Sequence, residues 1–445
     1  MKAVIVLNSF RIVIPHALKY TGVNQLVRLF TGPLILVVLP FFLSSEDLGF
    51  WFAMTGLVAL IAFADFGFSS ISLQFASHEF AKLRFTEDGE IVGDKECIER
   101  LSSLFIFSLK WTCSIAGIVL PSVAASGFYL LQKHVTTAPW GSAWLLLCVT
   151  STLSIVLNTM LSFLEGCNSV AKIQKIRFFM AASNSLGIIV CLFSGLGLIS
   201  LGLSSGLSVL MGAVFMYGSF SSTIRNLVET STLVQHNWKH EIYPLLARYS
   251  VSWLSGYAMF QLFSPIMFYY SGPVEAGKIG LSISLFTAIF SIANVWTTSQ
   301  IPLFGMAIAN RDFVELSRIF SSGLKRSVIT YLILVLCAGF VYIVGREHFA
   351  VLAKFLSLPS LLMLAFAWFL QLIIHNYAIF LRSFKQDPLM VVSVIAAIHT
   401  VAVTILCIKY LGPDYFLLGF VSSYIWLLPW VLILFKNKKA SLLIC

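Results

Sequence analysis

Ionisable side chains stand inside long apolar runs of this chain, among them Arg28, Asp65, Lys110, Glu165 and His375. A charge held in hydrocarbon is costly, and such residues commonly mark ion or substrate paths. Asp65 lies deep in the run from Ser44 to Ala76 and is too short to reach water at either end. It fits a structural ion pair with Arg28 or Lys110, or a coupling site for a proton or cation. Arg28 lies roughly 10 Å along its span. Its guanidinium either snorkels to the interface or offers a bidentate contact to an anionic substrate. Lys110 is about as deep but shares no polar face, so snorkelling is its simpler account. His375 and Glu165 are further proton or cation candidates, against plainer readings as a packed histidine and a boundary charge. Arg248 and Arg382 sit near span ends.

Neutral polar residues recur at helical spacing in the same runs. Thr21, Asn24, Gln25, Arg28, Thr31 and Gly32 share one helix face, as do Asp65, Ser69 and Ser72. So do Ser151, Ser154, Asn158, Ser162 and Glu165. The later runs repeat the pattern: Ser250, Tyr257, Gln261 and Ser264, then Ser284, Thr287, Ser291, Asn294 and Thr298, then Gln371, His375 and Arg382 with Asn376 beside them. Taken singly, the Ser and Thr positions read as helix packing. As a set carrying charges, they point to a shared water-filled cavity. The substrate-contacting positions expected of it are Asn24, Gln25, Arg28, Lys110, Asn158, Arg248, Gln261, Asn294 and Gln371. The coupling positions are Asp65, Glu165 and His375.

The elements that carry these residues are membrane spans. The chain is 58% hydrophobic and 11% charged, with mean hydropathy +0.91. That composition excludes a soluble protein of this size. The apolar runs are continuous, which excludes a β-barrel. About twelve spans are expected: 21–43, 48–77, 104–131, 141–165, 176–199, 203–224, 246–271, 276–308, 325–345, 359–383, 389–411 and 415–435. Of the 29 Lys and Arg, 22 fall at the N-terminus, in even-numbered connections or after the last span; five fall in odd-numbered connections. This bias puts both termini in the cytoplasm. It also accounts for the net charge of +10 without a nucleic-acid partner.

The eight cysteines form no CxxC or Cys/His cluster, so free thiols are expected, with no disulfide framework, metal or other cofactor. No cleavable signal is expected at the N-terminus and no prenylation at Cys445. No GxxxxGK[ST] loop is present. The chain reads as two related halves, as in many secondary transporters. Glu46 and Gly49 answer to Glu275 and Gly277, and Asp65 falls opposite Ala293 or Asn294. The expected division is a six-helix bundle over 1–224, a cytoplasmic connector over 225–245, and a second six-helix bundle over 246–445. Pro33, Pro40, Pro265 and Pro302 permit bends in spans 1, 7 and 8.

Several stretches together carry a family resemblance: the S-S-E-D-L-G-F-W turn (Ser44 to Trp51), A-D-F-G-F (Ala64 to Phe68) and E-G-C-N-S-V-A-K-I-Q-K-I-R (Glu165 to Arg177). The half-repeat at Glu275 to Gly280, then N-R-D-F at Asn310, completes the set. Over almost its whole length the chain resembles the polysaccharide (O-antigen, Wzx-type) flippases of the multidrug/oligosaccharidyl-lipid/polysaccharide exporter superfamily. The resemblance implies an all-α V-shaped pair of six-helix bundles that works by alternating access. It implies a substrate, undecaprenyl-pyrophosphate-linked oligosaccharide, moved from the cytoplasmic to the periplasmic leaflet of a bacterial inner membrane. A polysaccharide polymerase would be the protein partner. Arg28 would hold the pyrophosphate, with Lys110 and Arg248 behind it, and Asp65 would carry the coupling ion.

Two other readings stand beside this one. A cation-coupled multidrug exporter of the same superfamily would use acidic and aromatic groups such as Asp65 with Phe63, Phe66 and Phe68. A membrane polymerase, ligase or glycosyltransferase would need a sizeable outer loop with catalytic groups, and the outer loops here are short and nearly uncharged. A non-enzyme is expected.

Overall fold

The computed structural model describes residues 31–134, 139–230, 236–384 and 388–444. The chain is an all-α polytopic membrane protein. Hydrocarbon leaves backbone N–H and C=O groups no partner outside the segment, so each apolar run closes its own hydrogen bonds as a helix. The N-terminal half holds α1 (Thr31–Phe42), α2 (Ser45–Phe63), α3 (Phe68–Phe80), α4 (Lys95–Leu131), α5 (Trp140–Gly166), α6 (Val170–Phe193) and α7 (Ile199–Thr230). The C-terminal half holds α8 (Lys239–Phe260), α9 (Phe263–Ser271), α10 (Pro273–Thr298), α11 (Ile301–Ala309), α12 (Phe313–Gly345), α13 (Leu358–Arg382), α14 (Met390–Tyr410) and α15 (Leu417–Ile444). Among the described residues, 10 segments are long and apolar enough to cross a membrane, counting α2–α3 and α10–α11 once each. The helix α1 and the broken pair α8–α9 occupy the other two expected positions.

Three expected spans are interrupted, each for a local reason. The second breaks between α2 and α3, where Phe66 (φ 49°) and Gly67 (φ 78°) are left-handed. Gly67 takes that conformation at little cost. The first two spans of the chain's second half break at prolines instead. Pro265 has no N–H to donate to the Gln261 carbonyl, and the helix parts there into α8 and α9. Pro302 likewise leaves Thr298 without a donor, at the break between α10 and α11. The charged loop after α3 carries a short hairpin that hydropathy does not reveal. Leu83–Phe85 pairs antiparallel with Ile91–Gly93, around an Asp88–Gly89 turn of the type that favours hairpins.

The connection between the halves is anchored in the first of them. Trp238 is buried, donates Nε1–H to Ser103 Oγ at 3.3 Å, and meets the Phe75 ring edge-on at 5.9 Å. The Arg100 guanidinium lies 5.1 Å from the Trp238 ring centroid and bonds Glu79 at 3.0 Å.

Candidate functional site

The two halves meet along α2 and α10. Ser44 caps α2, its hydroxyl oxygen accepting from the Asp47 amide at 3.0 Å. Just beyond it, glycines let the two backbones touch. A Cβ at Gly49 would overlap the Pro273 carbonyl, and one at Gly280 would overlap the Phe52 ring. One at Gly56 would lie 2.8 Å from the Gln261 carbonyl that the α8–α9 break exposes. Aromatic edges close this end of the seam, with Phe50 packed on Phe268 at 4.8 Å. The Tyr257 hydroxyl donates to Gly56 O at 3.2 Å.

Polar contacts also cross at this end. Lys354 Nζ donates to Pro40 O and Leu43 O, both at 2.7 Å. Partial burial pulls the Lys354 ammonium below its ordinary pKa, and the Asp47 carboxylate opposes that shift. Lys133 Nζ donates to Tyr269 O at 2.9 Å, and His134 Nε2 lies 2.8 Å from Phe268 O.

Away from the closed end, a cavity of about 480 Å³ opens between the halves. Its polar wall is Gln261 from the end of α8 with Ser284, Thr287 and Ser291 from α10. Its aromatic wall is Trp51, Phe52, Phe260 and Trp368. Gly32, Pro33 and Leu36 of α1 form a third side. Thr287 and Ser291 donate their hydroxyls to Ile283 O and Thr287 O one turn back, which leaves their oxygen lone pairs free to accept. The Trp368 side chain is buried, and its Nε1–H has no hydrogen-bond partner among the described residues. Among the described lining residues none is charged.

A second cavity, about 520 Å³, lies on the other side of α1. It is lined by Leu36, Val37 and Phe41 of α1, Phe286 of α10, Ala338 of α12 and Leu362 of α13, among other apolar groups. Leu36 belongs to both walls, so the polar cavity and the apolar cleft adjoin across one side chain.

Of the expected site residues, Gln261 lies in the cavity wall, joined by the Ser284–Thr287–Ser291 part of its neighbouring stripe. Gln371 and His375 are half-buried on α13, one and two turns along from Trp368, with His375 edge-on to Phe290 at 5.3 Å. Asn294 is buried off the lining, and its Oδ1 has no partner among the described residues. Asn376 is fully buried, bonded to Thr297 and Ser327 between α10, α12 and α13. Asn158 is exposed and donates to its own helix at Ser154 O, 2.8 Å away. Glu165 pairs with Arg177 at 2.9 Å. Lys110 is exposed and does not line the cavity. Asp65 makes no ion pair among the described residues. Its Oδ2 instead accepts the Ser69 amide at 3.0 Å, capping the start of α3 after the break. Asn24, Gln25 and Arg28, and the side chain of Arg248, lie outside the described residues. Sequence spacing did not single out Trp51 and Trp368. Trp51 closes the Ser44–Trp51 turn motif, which was its available signal.

No family model and no curated protein matches the chain. Solved structures do. An inward-facing multidrug-resistance MATE family transporter of the MOP superfamily superposes with TM-score 0.66 at 14% identity, covering 94% of this chain and 95% of that one. The lipid II flippase MurJ, in an inward closed conformation, gives TM-score 0.63 at 14% identity over 95% of this chain and 88% of that one. An outward-facing MATE family transporter of the MOP superfamily gives 0.59 at 16% identity over 96% of each chain. At these identities it is the two-lobed transporter fold that is shared.

Proposed function

We propose that the chain is a flippase that carries undecaprenyl-pyrophosphate-linked oligosaccharide across a bacterial inner membrane, from the cytoplasmic to the periplasmic leaflet, by alternating access. One observation carries the reading: a hydrogen-bonding cavity and an apolar cleft adjoin at Leu36. A water-soluble substrate has use for the first alone; an amphiphile has use for both. In the cavity, Gln261 and the free lone pairs of Ser284, Thr287 and Ser291 suit sugar hydroxyls. The aromatic wall suits the apolar face of a pyranose. The cleft falls within the usual range of ligand cavities, roughly 300–1,000 Å³, and suits an isoprenoid tail. No covalent step is required.

The sidedness of the basic residues supports cytoplasmic termini. With that orientation the Gly49–Gly277 seam lies at the outer face, so the cavity opens inward. The better superposition on the inward-facing than on the outward-facing MATE structure agrees with this. Residues 1–224 and 246–445 then act as the two moving bundles. Arg28 is four residues before Gly32 in the sequence and is the proposed pyrophosphate contact; Asp65 is the proposed coupling group. A polysaccharide polymerase would take the delivered unit.

A second reading, a cation-coupled drug exporter, is favoured by the uncharged aromatic wall, which attracts organic cations. The deciding experiment measures flipping of labelled undecaprenyl-pyrophosphate oligosaccharide in proteoliposomes for wild type, Arg28→Ala and Arg28→Lys. Flipping by wild type and loss in Arg28→Ala at normal protein levels is the expected result. Failure with several such lipids, together with uptake of small organic cations, overturns it in favour of the exporter.

A further inference from the structure

Each half reaches across the seam to the carbonyl end of a helix in the other half. From the loop after α4, Lys133 donates to Tyr269 O and His134 approaches Phe268 O, at 2.9 and 2.8 Å, both in the last turn of α9. A carbonyl only accepts, so His134 Nε2 carries the proton in this contact. The Lys133 ammonium also lies 3.5 Å from the Tyr269 ring centroid. From the 3₁₀ turn Ala350–Lys354 after α12, Lys354 donates to Pro40 O and Leu43 O at 2.7 Å, at the end of α1. The carbonyls at a helix C-terminus have no partner within the helix and carry its partial negative charge, so an ammonium is well placed there.

The two contacts are related by the internal repeat. Phe268 stands to Pro40 at the same sequence offset as Gly277 to Gly49. Each donor comes from the connection following the third long span of its own half. Both contacts join parts that must separate if the outer end opens. The seam glycines behave differently, because their backbone contact has no solvent substitute, whereas water can take over both ends of a lysine–carbonyl bond. Lys133 is exposed and Lys354 half-buried, so water reaches both.

We propose that Lys133 with His134, and Lys354, form a two-point latch that holds the outer end of the seam closed and is released when the protein turns outward. This goes beyond the substrate reading and rests only on its alternating-access part.

The test uses a cysteine reporter in the cavity, Ser284→Cys, with exposed Cys113 and Cys337 replaced by serine and the same protein without the reporter as background. A membrane-impermeant charged maleimide is applied to right-side-out and to inverted membrane vesicles. The parent should label from the cytoplasmic face and slowly from the outer face. In Lys133→Met/Lys354→Met, outer-face labelling should rise at least about tenfold, as expected for losing charge-assisted bonds that favour one of two states. Lys133→Arg/Lys354→Arg, which keeps charge and donors, should label like the parent. If the double Met variant does not accumulate, each single Met variant should raise outer labelling, and an effect from only one overturns the two-point form. Unchanged outer labelling in the folded double Met variant, or Arg variants that label as fast as Met variants, overturns the latch. Equal labelling of the parent from both faces overturns the closed outer end itself. No lipid-linked sugar enters the assay, so a wrong substrate leaves this result standing, and a failed latch leaves the flipping assay untouched.

Discussion

Gly277 of α10 sits against the backbone of Gly49 of α2: a Cβ at Gly277 would stand 2.9 Å from the Gly49 amide nitrogen and 2.9 Å from the Ser45 carbonyl oxygen. Two glycines that the sequence pairs as expected half-repeat counterparts thus touch one another, and neither has room for a side chain. Gly277→Val should destabilise the closed seam by about 1–3 kcal/mol, the usual cost of overpacking. The measurement is the midpoint of thermal unfolding in detergent, with Gly305→Ala, where a Cβ meets nothing within 4 Å, as the control.

The cavity wall predicts a separation of hydrogen bonding from fold. Trp368→Phe keeps an aromatic ring in the wall and removes the five-membered ring, whose N–H has no partner among the described residues. Its thermal midpoint should fall by the modest cost of the lost buried ring atoms, while the initial flipping rate falls about tenfold if the indole packs on the substrate. Gln261→Leu should behave similarly. An unchanged rate in both variants would remove these residues from the substrate path.

The apolar cleft predicts a tail-dependent defect. Ala338→Trp fills part of the space between α1, α12 and α13. Flipping of long-chain polyprenyl substrates should drop several-fold, and that of short-chain analogues should drop less. Equal effects on the two substrates would detach the cleft from the tail.

Asp65 predicts a split between capping and coupling. Asn retains an oxygen that can accept the Ser69 amide, so Asp65→Asn should fold normally, whereas Asp65→Ala should lose about 1 kcal/mol of helix capping. If the carboxylate couples transport, Asp65→Asn should still equilibrate substrate but no longer respond to an imposed proton or sodium gradient. A normal gradient response in Asp65→Asn would leave Asp65 as a cap alone.

Hydropathy and charge bias made the spans legible, because hydrocarbon forces one solution on each apolar run. The wall residues Gln261, Ser284, Thr287 and Ser291 were legible for a related reason, since helical spacing fixes which residues share a face. Spacing does not say what that face meets. Asn158 turns back to Ser154, and Glu165 meets Arg177, although both belong to an equally regular stripe. Trp51 and Trp368 look like packing aromatics in any apolar span, and only the juxtaposition of distant helices makes them a wall. The break at Ala64–Gly67 is a matter of backbone handedness at Phe66 and Gly67, which hydropathy does not register.

Trp238 is buried among Phe75, Arg100 and Ser103, immediately ahead of α8. The peptide joining the halves is therefore fastened at its far end to the half it leaves. In the alternating-access motion proposed above, the second half would turn about that anchor and not drift away on slack chain. For the proposed lipid-linked substrate, the widest aperture, and with it the bulkiest head group admitted, would then be set by the lever arm of α8 and not by linker length.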